Sequence, residues 1–133
     1  MIAGVVDTHA TLWYLLGNTL LSPAARTFMD RVAAAGDRIL LSPISLAEII
    51  YLTEKGRLSA SAYDELKEAL ADDDYVIDQA PFTADVVDAM RQISRSAVPD
   101  LPDRIVAATA IYLNVPLVSR DGRIRASNVR TIW

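Results

Sequence analysis

Short apolar runs alternate along this chain with segments that open on helix-capping residues, and that alternation constrains the fold more than any other feature. Ile2–Val6 reads as a buried strand ending at Asp7-Thr8, and Ala10–Leu16 then looks helical. Ser22-Pro23 pairs a capping serine with proline at the first helical position, which predicts a helix to about Ala35, stopped by Gly36. Ile39–Leu41 is the next strand, and Ser42-Pro43 repeats the cap-plus-proline signal for a helix to about Lys55-Gly56. Ser59 or Ser61 opens another helix ending near Asp72, Tyr75–Ile77 is strand-like, and Thr83 caps a helix through about Ile93. Asp100–Leu113 is an apolar helix, followed by strands at Pro116–Ser119 and Val129–Trp133. Strands separated by helices favour a mostly parallel sheet with helices on its faces. The expectation is one α/β domain over residues 1–133, with no linker or repeat.

Composition matters here chiefly for what it excludes. The chain has no cysteine and one histidine, His9, so thiol catalysis, zinc-thiolate sites and multi-histidine metal sites within the chain drop out. The five glycines make neither a GxGxxG nor a GxxxxGK[ST] phosphate cradle. No apolar run is long enough to span a membrane, and the first residues lack a basic leader, so a cytoplasmic protein is the expectation. The net charge of −4 is unevenly spread: nine acids fall in residues 64–88, whereas residues 91–133 hold seven arginines and no lysine. Arginine suits bidentate phosphate contact, though scattered surface arginine explains the same count.

Seventeen acids need sorting by whether solvation alone accounts for them. Glu48 stands out, because its same-face neighbours Ile44, Ser45, Tyr51 and Leu52 include no cation. A carboxylate on such a face stays wet at one side, shifts its pKa, or finds a metal or donor. Asp7 follows the first strand, where aspartate serves as a helix cap and where open parallel sheets also bind ligands. Asp121 follows the Pro116–Ser119 strand, in an Asp-Gly pair that also reads as a turn. Asp100 and Asp103 open the apolar helix at i and i+3, as cap and dipole partner, but they repel each other on one face. A parallel α/β layer can bring all these positions to one edge. Hard oxygen ligands gathered there would select Mg2+ or Mn2+, a setting suited to phosphodiester hydrolysis.

The chain is similar to the PIN-domain ribonucleases, most closely the VapC-like toxins of bacterial type II toxin–antitoxin modules. The resemblance rests on Val5-Val6-Asp7-Thr8-His9 with Leu12-Trp13, on Leu41–Ile49, and on Lys55-Gly56-Arg57-Leu58. Its most specific stretch is Asp100–Ala110, followed by Val115–Asp121 and Thr131-Ile132-Trp133. The resemblance implies a three-layer α/β/α fold with a mostly parallel sheet and an Mg2+- or Mn2+-dependent endoribonuclease. It implies Asp7, Glu48, Asp103 and Asp121 as the catalytic acids, supported by Thr8, Ser119 and Asp100. Ser119 stands where family members often carry threonine, and it keeps the hydroxyl. Asp7 and Asp103 would hold the metal, directly or through water, with Asp103 favoured over Asp100. Arg104, Arg120, Arg123 and Arg125 are candidate RNA phosphate contacts. A homodimer and an antitoxin whose arginine-bearing tail plugs the acidic groove are also implied. His9 is expected in a packing role, pointing away from Asp7 if the strand continues. Two alternatives stay open, a receiver-like domain and a catalytically inactive binding module on the same fold. A phosphatase with an aspartyl nucleophile wants Asp-x-Asp where this chain has Asp7-Thr8-His9.

Overall fold

The computed structural model describes residues 1–133. The chain order is β1 (Ile2–Val6), α1 (Thr8–Leu15), α2 (Pro23–Ala34), β2 (Arg38–Leu41), α3 (Pro43–Glu54), α4 (Ala62–Ala71) and β3 (Ile77–Gln79). It continues with α5 (Ala84–Ala89), a 3-10 turn at Met90–Gln92, α6 (Leu101–Leu113), β4 (Leu117–Val118), α7 (Gly122–Arg125) and β5 (Thr131–Ile132). The strands form one sheet in the order β3-β2-β1-β4-β5, and every pairing is parallel.

Side-chain alternation along the strands explains the three layers. Val6, Ile39, Leu41 and Val118 face one core, completed by Ala10 and Leu12 of α1, Met29 of α2, Ile49 of α3 and Leu66 of α4. Val5 and Leu117, the neighbouring strand residues, join a second core with Ala89 of α5, Ala107 and Ala110 of α6, and Ile124 of α7. The expected α/β/α sandwich is therefore present, with both faces of the sheet covered. No helix is long and apolar enough to cross a membrane.

The chain leaves β1 toward β2 and β3 on one side, then returns to place β4 and β5 on the other. The switch in direction falls between β1 and β4, where the strand ends diverge and leave a crevice for ligands. Strand β1 seats tightly against β4. A Cβ on Gly4 would stand 3.2 Å from the Pro116 carbonyl oxygen and 3.3 Å from Phe28, so the closeness depends on glycine.

Several elements differ from the sequence expectation, each for a local reason. Helix α1 begins at Thr8, not Ala10, because Asp7 caps it directly through Ala10 N–H. The strand expected at Tyr75–Ile77 lies at Ile77–Gln79, since Tyr75 N–H closes a turn onto Asp72. Asp78 and Gln79 pair with Leu40 and Leu41 at the sheet edge, where polar side chains remain exposed. The helix expected from Thr83 to Ile93 keeps regular geometry only to Ala89 and tightens into the 3-10 turn. The carbonyl of Met90, which still accepts from Ile93 N–H, and that of Ile93 both accept from Arg104 on α6. Asp121-Gly122 is the start of α7, not a bare turn.

Candidate functional site

Each acid singled out from the sequence is delivered by a strand end or a helix cap. At the end of β1, Asp7 N–H donates to Val118 O at 3.1 Å, locking it beside β4. Asp7 Oδ1 then accepts from Ala10 N–H at 2.9 Å and starts α1. Ser42 caps α3, which projects Glu48 from its second turn. Asp100 caps α6 by accepting from Asp103 N–H at 3.2 Å, which places Asp103 in the first turn. Past β4, the buried Ser119 hydroxyl accepts from Asp121 N–H at 3.0 Å. Asp121 Oδ1 in turn accepts from Arg123 N–H at 2.9 Å and Ile124 N–H at 3.0 Å.

These deliveries converge on a cavity of about 490 Å³ at the carboxyl edge of the sheet, walled by Asp7, Glu48, Asp100, Asp103 and Asp121. Both members of the Asp100–Asp103 pair line it. Thr8, buried behind the cavity lining rather than part of it, donates from Oγ1 to Glu48 Oε1 at 2.5 Å, with Ser45 Oγ 2.9 Å from the same hydroxyl. With no cation among its helix neighbours, Glu48 takes its hydrogen bond from this hydroxyl on α1.

No cation balances this charge at ion-pair distance. The one salt bridge of the protein joins the N-terminal ammonium to Asp37 at 3.2 Å, on the surface away from these acids. Asp103 is pushed up to about 7, first by burial and then by the charges of Asp100, Asp121, Glu48 and Asp7. Asp7 is raised as well, mainly by burial, with Asp121 adding to the push. The Ser119 hydroxyl, the Ala10 N–H and the His9 charge pull the other way.

An all-oxygen donor set in mutual repulsion is chemically matched to a hard divalent cation. No three of these side chains are drawn close enough together to grip an ion by themselves. The arrangement fits a cation that keeps several waters, which is how magnesium is commonly held by carboxylates.

The arginines separate into different roles. Arg120 lines the cavity, with its guanidinium carbon 4.6 Å from the centroid of the Trp13 ring. Arg123 and Arg125 are exposed on α7, outside the cavity lining. Arg104 corrects the expectation of a phosphate contact: its guanidinium donates to Ile93 O and Met90 O at 2.9 Å and so closes the end of the 3-10 turn.

His9 is a second correction. Because α1 starts at Thr8, the side chain is not turned away by a continuing strand but lines the cavity and is exposed. Trp13 and Gly122 also line it and were not singled out from the sequence. The signal for His9 and Trp13 was their i, i+4 spacing, legible only once the helix start is placed correctly.

A model of the PIN domain family matches residues 4–128. Among solved structures, the chain is similar to the crystal structure of VapBC2 from Rickettsia felis bound to a DNA fragment from their promoter. The TM-score is 0.70 over 98% of this chain and 97% of that one, at 17% identity, a likeness of fold. None of the curated proteins matches the chain. The matched span runs from within β1 through α7 and holds all five of the cavity's acids, so the chain belongs to the PIN domain family.

Proposed function

We propose that this chain is an Mg2+- or Mn2+-dependent endoribonuclease that acts as the toxin of a toxin–antitoxin module. The observation that carries the reading is the cavity of five carboxylates with no cation at ion-pair distance. Asp7, Glu48, Asp103 and Asp121 are its catalytic acids, with Asp7 and Asp103 the metal ligands, directly or through water. Thr8 orients Glu48, Ser119 orients Asp121 and acts on Asp7, and Asp100 sets the first turn that carries Asp103. A divalent ion bound there supplies a water of lowered pKa and offsets charge on the phosphoryl oxygens. Arg120, and more peripherally Arg123 and Arg125, contact RNA phosphates.

The family match narrows the competing readings. A receiver-like domain falls with it, whereas an inactive PIN-fold binding module stays as the outcome of a failed activity test. An antitoxin partner is supported by the fold likeness to VapBC2 and by a second hollow beside the acids. That hollow, about 550 Å³, is lined by Ile44, Tyr51 and Leu52 and shares Glu48 and Asp100 with the cavity. A partner seated there has direct access to the acids for a cationic tail. Exposed Ile50, Tyr51 and Leu101 offer apolar surface for that partner or for a homodimer. The setting we propose is a single cytoplasmic domain.

The experiment is RNA cleavage by purified protein with Mg2+, with Mn2+ and with EDTA. Cutting in either metal, abolished by EDTA and absent from Asp7→Asn and Asp103→Asn variants that remain folded, is the expected result. Folded wild-type protein that leaves every RNA intact in both metals overturns the reading in favour of a binding module.

A further inference from the structure

Trp13 is the one apolar residue in the wall of a cavity otherwise made of charged side chains, His9 and a glycine. The side chain is half-buried against the larger core, a position an aliphatic residue would also fill. What an aliphatic residue would not provide is a flat face at the cavity rim. Other flat groups, from three parts of the fold, gather around it. His9, one helical turn earlier, has its ring centroid 5.7 Å away, and Trp133, just past β5, has its centroid 5.9 Å away. Arg120, just past β4, lays its guanidinium over the indole at 4.6 Å.

Arg120 makes the pattern more telling. It is exposed on the wall of an acid-lined cavity, yet no carboxylate holds it within ion-pair distance. Contact with the tryptophan face restrains the guanidinium and leaves its N–H donors without a carboxylate partner. A phosphodiester that enters this cavity brings nucleobases on either side. With one indole face under the guanidinium, the exposed Arg120 plane backed by Trp13 is the surface on which an unstacked base gains contact.

We infer that Trp13 and Arg120 form a stacking subsite for one nucleobase of a single-stranded RNA, next to the phosphate at the acids, with His9 and Trp133 bracing the indole. This inference rests on the nuclease reading and adds to it a substrate requirement. The strand must be unpaired at the occupied position, because bases within a duplex do not present their faces. Every base has a π-face, so selectivity among bases at this subsite is weak.

The test uses Asp103→Asn protein, which binds without cutting, and a set of pentaribonucleotides each lacking one base. At one position, removal of the base is expected to weaken binding by about fivefold to about a hundredfold. That gap disappears when Trp13→Ala is added and largely survives Trp13→Tyr. In a Trp133→Phe background Trp13 is the only tryptophan, and RNA binding quenches its emission. If RNA binds but no abasic position matters, or Trp13 emission is unmoved, the stacking subsite is wrong, and the nuclease reading stands where wild-type protein still cuts RNA with Mg2+ or Mn2+. If no pentaribonucleotide binds and wild-type protein cuts no RNA with Mg2+, both fall.

Discussion

Thr8 and Glu48, forty residues apart, meet at 2.5 Å between Oγ1 and Oε1. Thr8 is buried and belongs to the helix that Asp7 starts, so the end of β1 controls two acids, one by cap and one by hydroxyl. Replacing Thr8 by valine keeps the volume and leaves Glu48 and Ser45 without that partner. The expected cost is about 1–3 kcal/mol of stability, and about 10- to 100-fold in metal-dependent cleavage. Thr8→Ser restores most of both. Denaturation midpoints measured beside Mg2+-titrated cleavage check this.

The raised Asp103 carboxyl ties stability to pH in a defined direction. Its folded value of about 7 lies above the ordinary 3.8, so between those values the folded state holds a proton that the unfolded chain has released. Stability from this group is therefore full below about pH 4 and falls as pH rises through 7. Asp7, also raised, acts in the same sense. Metal-free protein is expected to melt at a lower temperature at pH 8 than at pH 5. The Asp103 contribution is on the order of 1 kcal/mol, after allowance for its solvent exposure. Thermal melts of wild type and Asp103→Asn across this range check the slope, which the variant flattens.

Divalent cations are expected to reverse that decline. At a hundredfold excess over the dissociation constant, binding to the folded state alone adds about 2.7 kcal/mol. Protons compete for the same carboxylates, so the rise in Tm with Mg2+ is larger at pH 8 than at pH 5. EDTA returns the melt to its metal-free value, and Asp7→Asn with Asp103→Asn removes the response. Calorimetry with and without Mg2+ reads each outcome.

The arginines are expected to divide cleanly under mutation. Arg104→Ala removes donors from Met90 O and Ile93 O, costing about 1–3 kcal/mol of stability. The salt dependence of RNA affinity stays as it was. The double change Arg123→Ala and Arg125→Ala leaves the melting point nearly unmoved and lowers that salt slope by roughly 0.7 for each phosphate the two side chains neutralise. RNA titrations at several salt concentrations, run beside denaturation curves, separate the two classes.

Much of this architecture is readable before any coordinates. Ser22-Pro23 and Ser42-Pro43 announce α2 and α3 within a residue, because a cap and a fixed φ are local properties. The acids at positions 7, 48, 103 and 121 stand out by apolar company or by following strands, and all four line one cavity. What escapes depends on contacts distant in sequence. The Thr8–Glu48 bond, the capture of Arg104 by carbonyls ten or more residues earlier, and the shift of β3 to Ile77–Gln79 are all set by tertiary partners. His9 escapes for a smaller reason: a helix start misplaced by two residues turns a side chain from one direction to another.

Asp7 and Asp121 each spend an oxygen on the first turn of a helix, and Asp100 does the same. At Asp7 and Asp121, helix initiation and the proposed chemistry thus draw on the same carboxyl groups. A descendant of this chain released from selection for cleavage would still gain from asparagine, serine or aspartate at these places, since alanine would weaken the start of α1 or α7 by about 1 kcal/mol. In a lineage of this kind, retained polar residues at the strand ends testify to folding, and only the surviving charge testifies to catalysis.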